Sequence, residues 1–165
     1  MTTPPVIDVH AVNGTFFPYA LFIESLVGGL VDFETDIFYM MLVDATYIPN
    51  QNTHKFKSVV GGELGQTYSG YNAGGIQMPI QTISYTGTTK QLTIAASNLQ
   101  WPLVTFPSPG ARYGVIYDVI TKDGSGAAGA MPLVGYVDFI APQIVTDMAF
   151  NVNWPSTGLM TFQLP

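Results

Sequence analysis

Cysteine is absent from all 165 residues, which removes disulfides, thiolate nucleophiles and cysteine metal sites and leaves the fold to be held by packing alone. The absence does not identify a compartment. Charge is almost as scarce, with Asp, Glu, Lys and Arg at 10% of the chain where soluble domains average roughly 25%. Thr, Ser, Asn, Gln and Gly must then carry much of the hydration, or a partner must cover part of the surface; the partner is the favoured reading. Arginine occurs once, at Arg112, and Lys55 and Lys57 form only a local pair in a chain of net charge −6. Phosphate recognition needs a basic patch and gains from arginine's planar fork, so nucleic acid is not an expected ligand. Long apolar runs are missing too. Residues 16–31 are broken by Pro18, Glu24 and the Gly28-Gly29 pair and are too short for a bilayer, and the opening MTTPPVIDVH lacks the pattern of a secretory signal. The expectation is a soluble protein with no membrane partner.

What the chain does have is strand periodicity. In residues 111–140, ARYGVIYDVITKDGSGAAGAMPLVGYVDFI, the first arm places Tyr113, Val115, Tyr117 and Val119 on one face and Gly114, Ile116 and Ile120 on the other. The second arm sets Leu133, Gly135, Val137 and Phe139 against Val134, Tyr136 and Ile140, and a flexible connector from Asp123 to about Ala130 joins the two. Both faces are largely apolar, as in a central hairpin. Residues 36–43, DIFYMMLV, read as a strand buried on both faces. Further strands are expected over 76–84, 91–95, 150–154 and 159–164, with turns at 85–90, 107–110 and 155–158. Pro18 at a first helical turn and Gly28-Gly29 at the end frame one short helix, and Thr53 could cap a second through Phe56 and Val60. The fold expected is a mainly-β, single-domain antiparallel β-sandwich over residues 14–165, with one or two short helices and an extended N-terminal arm over 1–13.

No residue set calls for catalysis. His10 lies in the arm and His54 in a loop, with no second histidine at ligand spacing, and no G-x-S-x-G occurs. Asp32, Glu34 and Asp36 at alternate positions would point one way along a strand and could ligate calcium, although a solvated strand edge is the simpler reading. Asp118 and Asp138 could face each other across the hairpin as a carboxylate pair, against the simpler reading that both mark strand ends in solvent, and Glu63 is a third acid that counting alone leaves open. Trp101, Trp154, Tyr113, Tyr117 and Phe139 could form a sugar-stacking face but more often such a set is core. The loop GGELGQTYSGYNAGG, residues 61–75, lacks the Gly-Lys-Ser/Thr ending of a phosphate loop; its Tyr68 and Tyr71 either grip a partner or pack down on the sheet. No catalytic residue, cofactor or metal is therefore expected.

In their order, several segments resemble a widespread family of small tailed-bacteriophage virion proteins of the head decoration, or capsid cement, type. They are the short helix, LVDFETDIFYMMLVDATYIPNQNTH (30–54), YSGYNAGG (68–75), QLTIAASNLQWP (91–102), ARYGVIYD, PLVGYVDF and NVNWPSTGLMTFQL (151–164). The resemblance covers residues 14–164 and lies in order and spacing rather than in any one motif; the Pro4-Pro5 arm departs from it. It implies a non-enzymatic subunit on the outer surface of the mature head, assembled in the host cytoplasm. Its partners would be the major capsid protein and neighbouring copies, with closed trimers a common arrangement. Pro4, Pro5, Val6 and Ile7 of the arm and Tyr68 and Tyr71 of the loop are the expected contacts. The rival readings are a neck, tail or head-fibre component, or a carbohydrate-binding module stacking sugars on Trp101, Tyr68 or Tyr71.

Overall fold

The computed structural model describes residues 9–12 as backbone, and residues 14–65 and 68–163 in full. Its strands run β1 (Val9–Val12), β2 (Thr15–Pro18), β3 (Phe38–Val43), β4 (Ile76–Gln77), β5 (Ile80–Thr86), β6 (Gln91–Ala96), β7 (Leu99–Asp118), β8 (Leu133–Val152) and β9 (Met160–Gln163). One helix, α1 (Ala20–Val27), lies between β2 and β3. The large sheet has the order β1-β8-β7-β3-β4, with β2 also paired to β8, and the small one is β5-β6-β9. The architecture is the expected mainly-β sandwich of two antiparallel sheets with a single short helix. One pairing departs from the antiparallel rule: β1 runs parallel to β8, aligning Val9 with Ala149 and Val12 with Val152.

The central hairpin is present and longer than its pattern. Gly114 aligns with Val137 and Ile116 with Gly135, as the alternation requires, but each arm continues to 20 residues. Residues 107–110 therefore form no turn between strands; they bend one strand, β7, whose register against β8 shifts between Phe106 and Ala111. Gly110 (φ 75°), Ile140 (φ 70°) and Asp147 (φ 49°) take left-handed backbone in the same stretch, which lets the ribbon bulge and turn without ending. The expected strand over 76–84 divides instead. Pro79 has no N–H for a ladder, so β4 stops at Gln77 in the large sheet and β5 starts at Ile80 in the small one.

Strand β3 lies between β7 and β4, and Met40, Met41, Leu42 and Val43 are all fully buried. Around it an aromatic chain fills the interior, with Phe150 against Trp101 (5.8 Å), Phe106 (5.6 Å) and Phe139 (5.8 Å). Helix α1 begins at Ala20 because Pro18 belongs to β2, and the Ala20 N–H donates to the Gln51 carbonyl (2.8 Å). Gly28-Gly29 end it as expected. The Leu30 N–H donates to Ser25 O and the Gly29 N–H to Leu26 O, with Gly29 at φ 71°, the paired closure that a left-handed residue permits. The second helix is only a 3-10 turn over Lys57–Val59, and Thr53 does not cap it, since Phe56 precedes it without a side-chain bond.

Candidate functional site

The glycine-rich loop is pinned to the sheet. Its two tyrosines both meet the ring of Phe106 edge-on, Tyr68 at 6.4 Å and Tyr71 at 6.2 Å. Tyr71 is 3% exposed. Strand β4 is too short to reach Leu42, so the Leu42 N–H donates to the Tyr71 hydroxyl (3.0 Å), which in turn donates to Glu63 Oε1 (3.0 Å). The Glu63 carboxylate also accepts the Gly74 N–H, and the Tyr117 hydroxyl donates to the Gly74 carbonyl (2.8 Å). Lys57 Nζ lies 4.4 Å from the centre of the Tyr117 ring and 3.2 Å from its hydroxyl. Burial first, then the Glu63 charge, holds both Tyr71 and Tyr117 far above the ordinary phenol range, so they remain proton donors. Glu63 thus organises a loop.

Tyr71 is accordingly placed as a support of the sheet edge, and its ring offers no face to a partner. Trp101, at 1% exposure, is core, as are Tyr117 and Phe139. Of Trp101, Tyr68 and Tyr71 only Tyr68 is even partly exposed, and of the larger aromatic set Tyr113 and Trp154 are likewise partly buried. A stability test separates the two tyrosines. Tyr71→Phe is expected to lose about 1–3 kcal/mol, because the buried Leu42 N–H loses its acceptor, whereas Tyr68→Phe stays within ~0.5 kcal/mol; urea titration of both variants reads the difference.

The acids also fall differently from their spacing. Residues 33–35 are a turn, and Asp32 caps it by accepting the Glu34 N–H (2.9 Å) and the Thr35 hydroxyl (2.8 Å). Asp36 turns inward to Lys122 while Glu34 points to solvent, so no calcium cradle forms from the three. No group of three or more His, Asp or Glu placed to hold a metal occurs among the described residues. Asp118 and Asp138 do not face each other: β8 sets Asp138 opposite Tyr113, and Asp118 aligns with Phe38 of β3. Asp138 forms a two-armed ion pair with Arg112, which holds its carboxyl below the usual carboxylate range. Asp118 is no solvated strand end either. It is fully buried, accepts the Ile120 N–H through Oδ1 (2.7 Å) and stands beside Asp36.

His54 belongs to a hydrogen-bond chain. Its Nδ1 accepts from the Asn50 N–H (3.3 Å) and from the Tyr47 hydroxyl (2.8 Å), and Tyr47 accepts from Tyr19 (2.7 Å). Partial burial lowers the imidazole pKa, which keeps the ring neutral and suits it to an acceptor's role. Pro4, Pro5, Val6 and Ile7 lie outside the described residues.

Two surfaces are left open by this packing. The first is the middle of the β7–β8 ribbon, where no third strand flanks residues 139–148 among the described residues. Ile140 there is 76% exposed, with Ile144 and Leu103 also exposed and Pro107, Pro109 and Pro142 nearby in sequence. The second surrounds the small sheet. A groove of about 480 Å³ runs between Leu26, Val31 and Phe33 on one side and Ile83, Leu92 and Phe162 on the other, with Lys122 in its lining. Periodicity could not single these surfaces out, since each depends on where neighbouring strands stop. Compared with protein families, curated proteins and solved structures, the chain matches none of them.

Proposed function

We propose that this chain is a non-enzymatic structural subunit of a tailed-bacteriophage particle, a decoration (cement) protein bound outside the mature head and bridging coat subunits. The observation that carries the reading is the apolar middle of the ribbon. Ile140, Ile144 and Leu103 are large, uncharged and exposed on a strand pair whose two ends are built into the sheet. A rigid β body presenting exposed apolar side chains along such a ribbon suits a task of adding contact area without chemistry. The acidic balance, net −6, favours the outside of a shell over a face turned to packaged DNA.

Stable attachment needs on the order of 1,000 Å² of buried surface per site. The test is co-sedimentation with undecorated heads, expanded and unexpanded. The expected result is saturable binding to expanded heads at a fixed ratio to coat subunits. An Ile140→Lys/Ile144→Lys double variant is expected to bind at least tenfold more weakly, since each buried ammonium must be desolvated. Failure to bind either shell would overturn the head assignment, and binding to isolated tails would move the chain to the neck or tail.

A further inference from the structure

The small sheet ends in an open strand. β5 is the last member of β5-β6-β9, and no other strand pairs with its outer side among the described residues. Its seven residues, IQTISYT, carry no charge, no glycine and no proline. Soluble proteins blunt such edges with charges, proline, bulges or short length; β5 has an irregularity between Ile80 and Thr82, and nothing of the kind from Thr82 to Thr86. The cross-strand rows point the same way. Ile83, Ile94 and Met160 form one row and Tyr85, Leu92 and Phe162 the next, on a single apolar face. Ile94 is buried, yet Ile83 is 38% and Tyr85 58% exposed, because the rows stop at β5.

We propose that β5 pairs antiparallel with β5 of a second copy about a two-fold axis at Ile83, joining two small sheets into one. The strand is complementary to itself in this register. Ile83 meets Ile83 and Thr82 meets Ser84, so apolar faces apolar and hydroxyl faces hydroxyl at the centre, and the Gln81 amide lies across from Tyr85. Charge selects the direction. Glu34 lines a groove of about 270 Å³ beside Ile80 to Ile83. An antiparallel pair about Ile83 sets the two Glu34 carboxylates toward opposite ends of the joined strands, whereas a parallel pair would set these like charges together. The interface is isologous, as a two-fold requires. It involves none of the ribbon residues and does not depend on the particle role proposed above.

A pair of seven-residue strands buries less than the ~1,200 Å² of a standard stable interface, so free protein associates weakly, in the range of ~10 µM to 1 mM. Sedimentation equilibrium over that range is expected to show a monomer–dimer equilibrium. Ile83→Lys, which sets two ammonium groups opposite each other, should weaken it at least tenfold while circular dichroism stays unchanged. Ser84→Lys, on the polar face and away from the core, provides a second reading if the first variant misfolds. The absence of cysteine makes cross-linking clean: Ile83→Cys should form a disulfide dimer on mild oxidation, and Val27→Cys on α1, although the more exposed site at 84% against 38%, should not. A monomer at every concentration, an unchanged association constant in both lysine variants, or equal cross-linking at both cysteines would overturn the pairing. Loss of head binding in Ile83→Lys, when the unmodified chain is itself monomeric at every concentration, would overturn it too, and would assign the edge to a coat subunit.

Discussion

At pH 8, Asp118→Asn is expected to melt about 5–10 °C above the unmodified chain, the reverse of what loss of a buried charge pair normally does. Burial, then the neighbouring Asp36 carboxylate, raises the Asp118 carboxyl from the ordinary 3.8 to about 7, against a lowering contribution from the Ile120 N–H. Asp36 already accepts the Asp32 N–H (2.7 Å) and pairs with Lys122, and the Asp118 carboxyl beside it is the one pushed toward holding its proton. The charged groups around the pair are Asp36 ahead of β3, Lys122 in the β7–β8 connector and Asp32 ahead of the 33–35 turn. A group whose folded pKa is raised contributes stability that is fully present below its unfolded pKa and is lost as pH rises through the folded value. For Asp118 the window runs from about pH 4 to 7, and the loss across it is on the order of 2–4 kcal/mol. Asparagine keeps the shape, can donate to Asp36 and can still accept from Ile120, but does not titrate. Melting curves of the two chains should therefore converge near pH 4 and separate as pH rises. Parallel profiles from pH 4 to 8 would show that Asp118 does not hold its proton.

Gly75→Ala is expected to lose about 3–5 kcal/mol, or to leave the chain insoluble, through a contact of backbone with backbone. Gly75 has φ 80°, and a Cβ built there would stand 1.8 Å from the Met40 carbonyl oxygen. Met40 belongs to the most buried strand and pairs with Ile76 of β4, so neither side can give way without opening the sheet. The matched control is Gly124→Ala in the β7–β8 connector. Gly124 has a similar φ of 70° and nothing within 4 Å of its would-be Cβ. That variant isolates the conformational cost, about 1 kcal/mol. The difference between their midpoints in urea measures the steric part, and equal losses would mean that the loop lifts off β3 easily.

Much of the architecture was legible because it rests on local alternation. The two arms around residues 111–140, the doubly buried β3 and the glycine-terminated α1 all follow from period and punctuation. The errors share one physical cause, which is that tertiary context decides what a local signal means. Proline and glycine at residues 107–110 read as a turn, yet in a bulged ribbon they bend a strand that continues, while Pro79 ends a strand that hydropathy would carry through. An isolated acid reads as a surface group, and only the closing of β3 over β7 makes Asp118 a buried one. Tyr71 sits in a loop whose glycines signal exposure, but the same glycines let the backbone lie close enough to β3 for its hydroxyl to replace a missing strand. The open edge of β5 was hidden for the complementary reason. Its sequence reads as an ordinary strand, and only the strand order shows that no other strand among the described residues pairs with its outer side.

The parallel pairing of β1 with β8 bears on how the molecule takes mechanical load. Four residue pairs, from Val9 with Ala149 to Val12 with Val152, lie side by side along the strand axis. A pull on the chain ahead of Val9, directed along that axis, loads their slanted hydrogen bonds together in shear rather than peeling them off one at a time. If the preceding residues are gripped by a neighbour, tension reaches the long ribbon through the geometry that resists it best. Anchorage at the amino terminus would then be strong in one direction and weak in the perpendicular one, a property that a single-molecule pulling geometry can choose between.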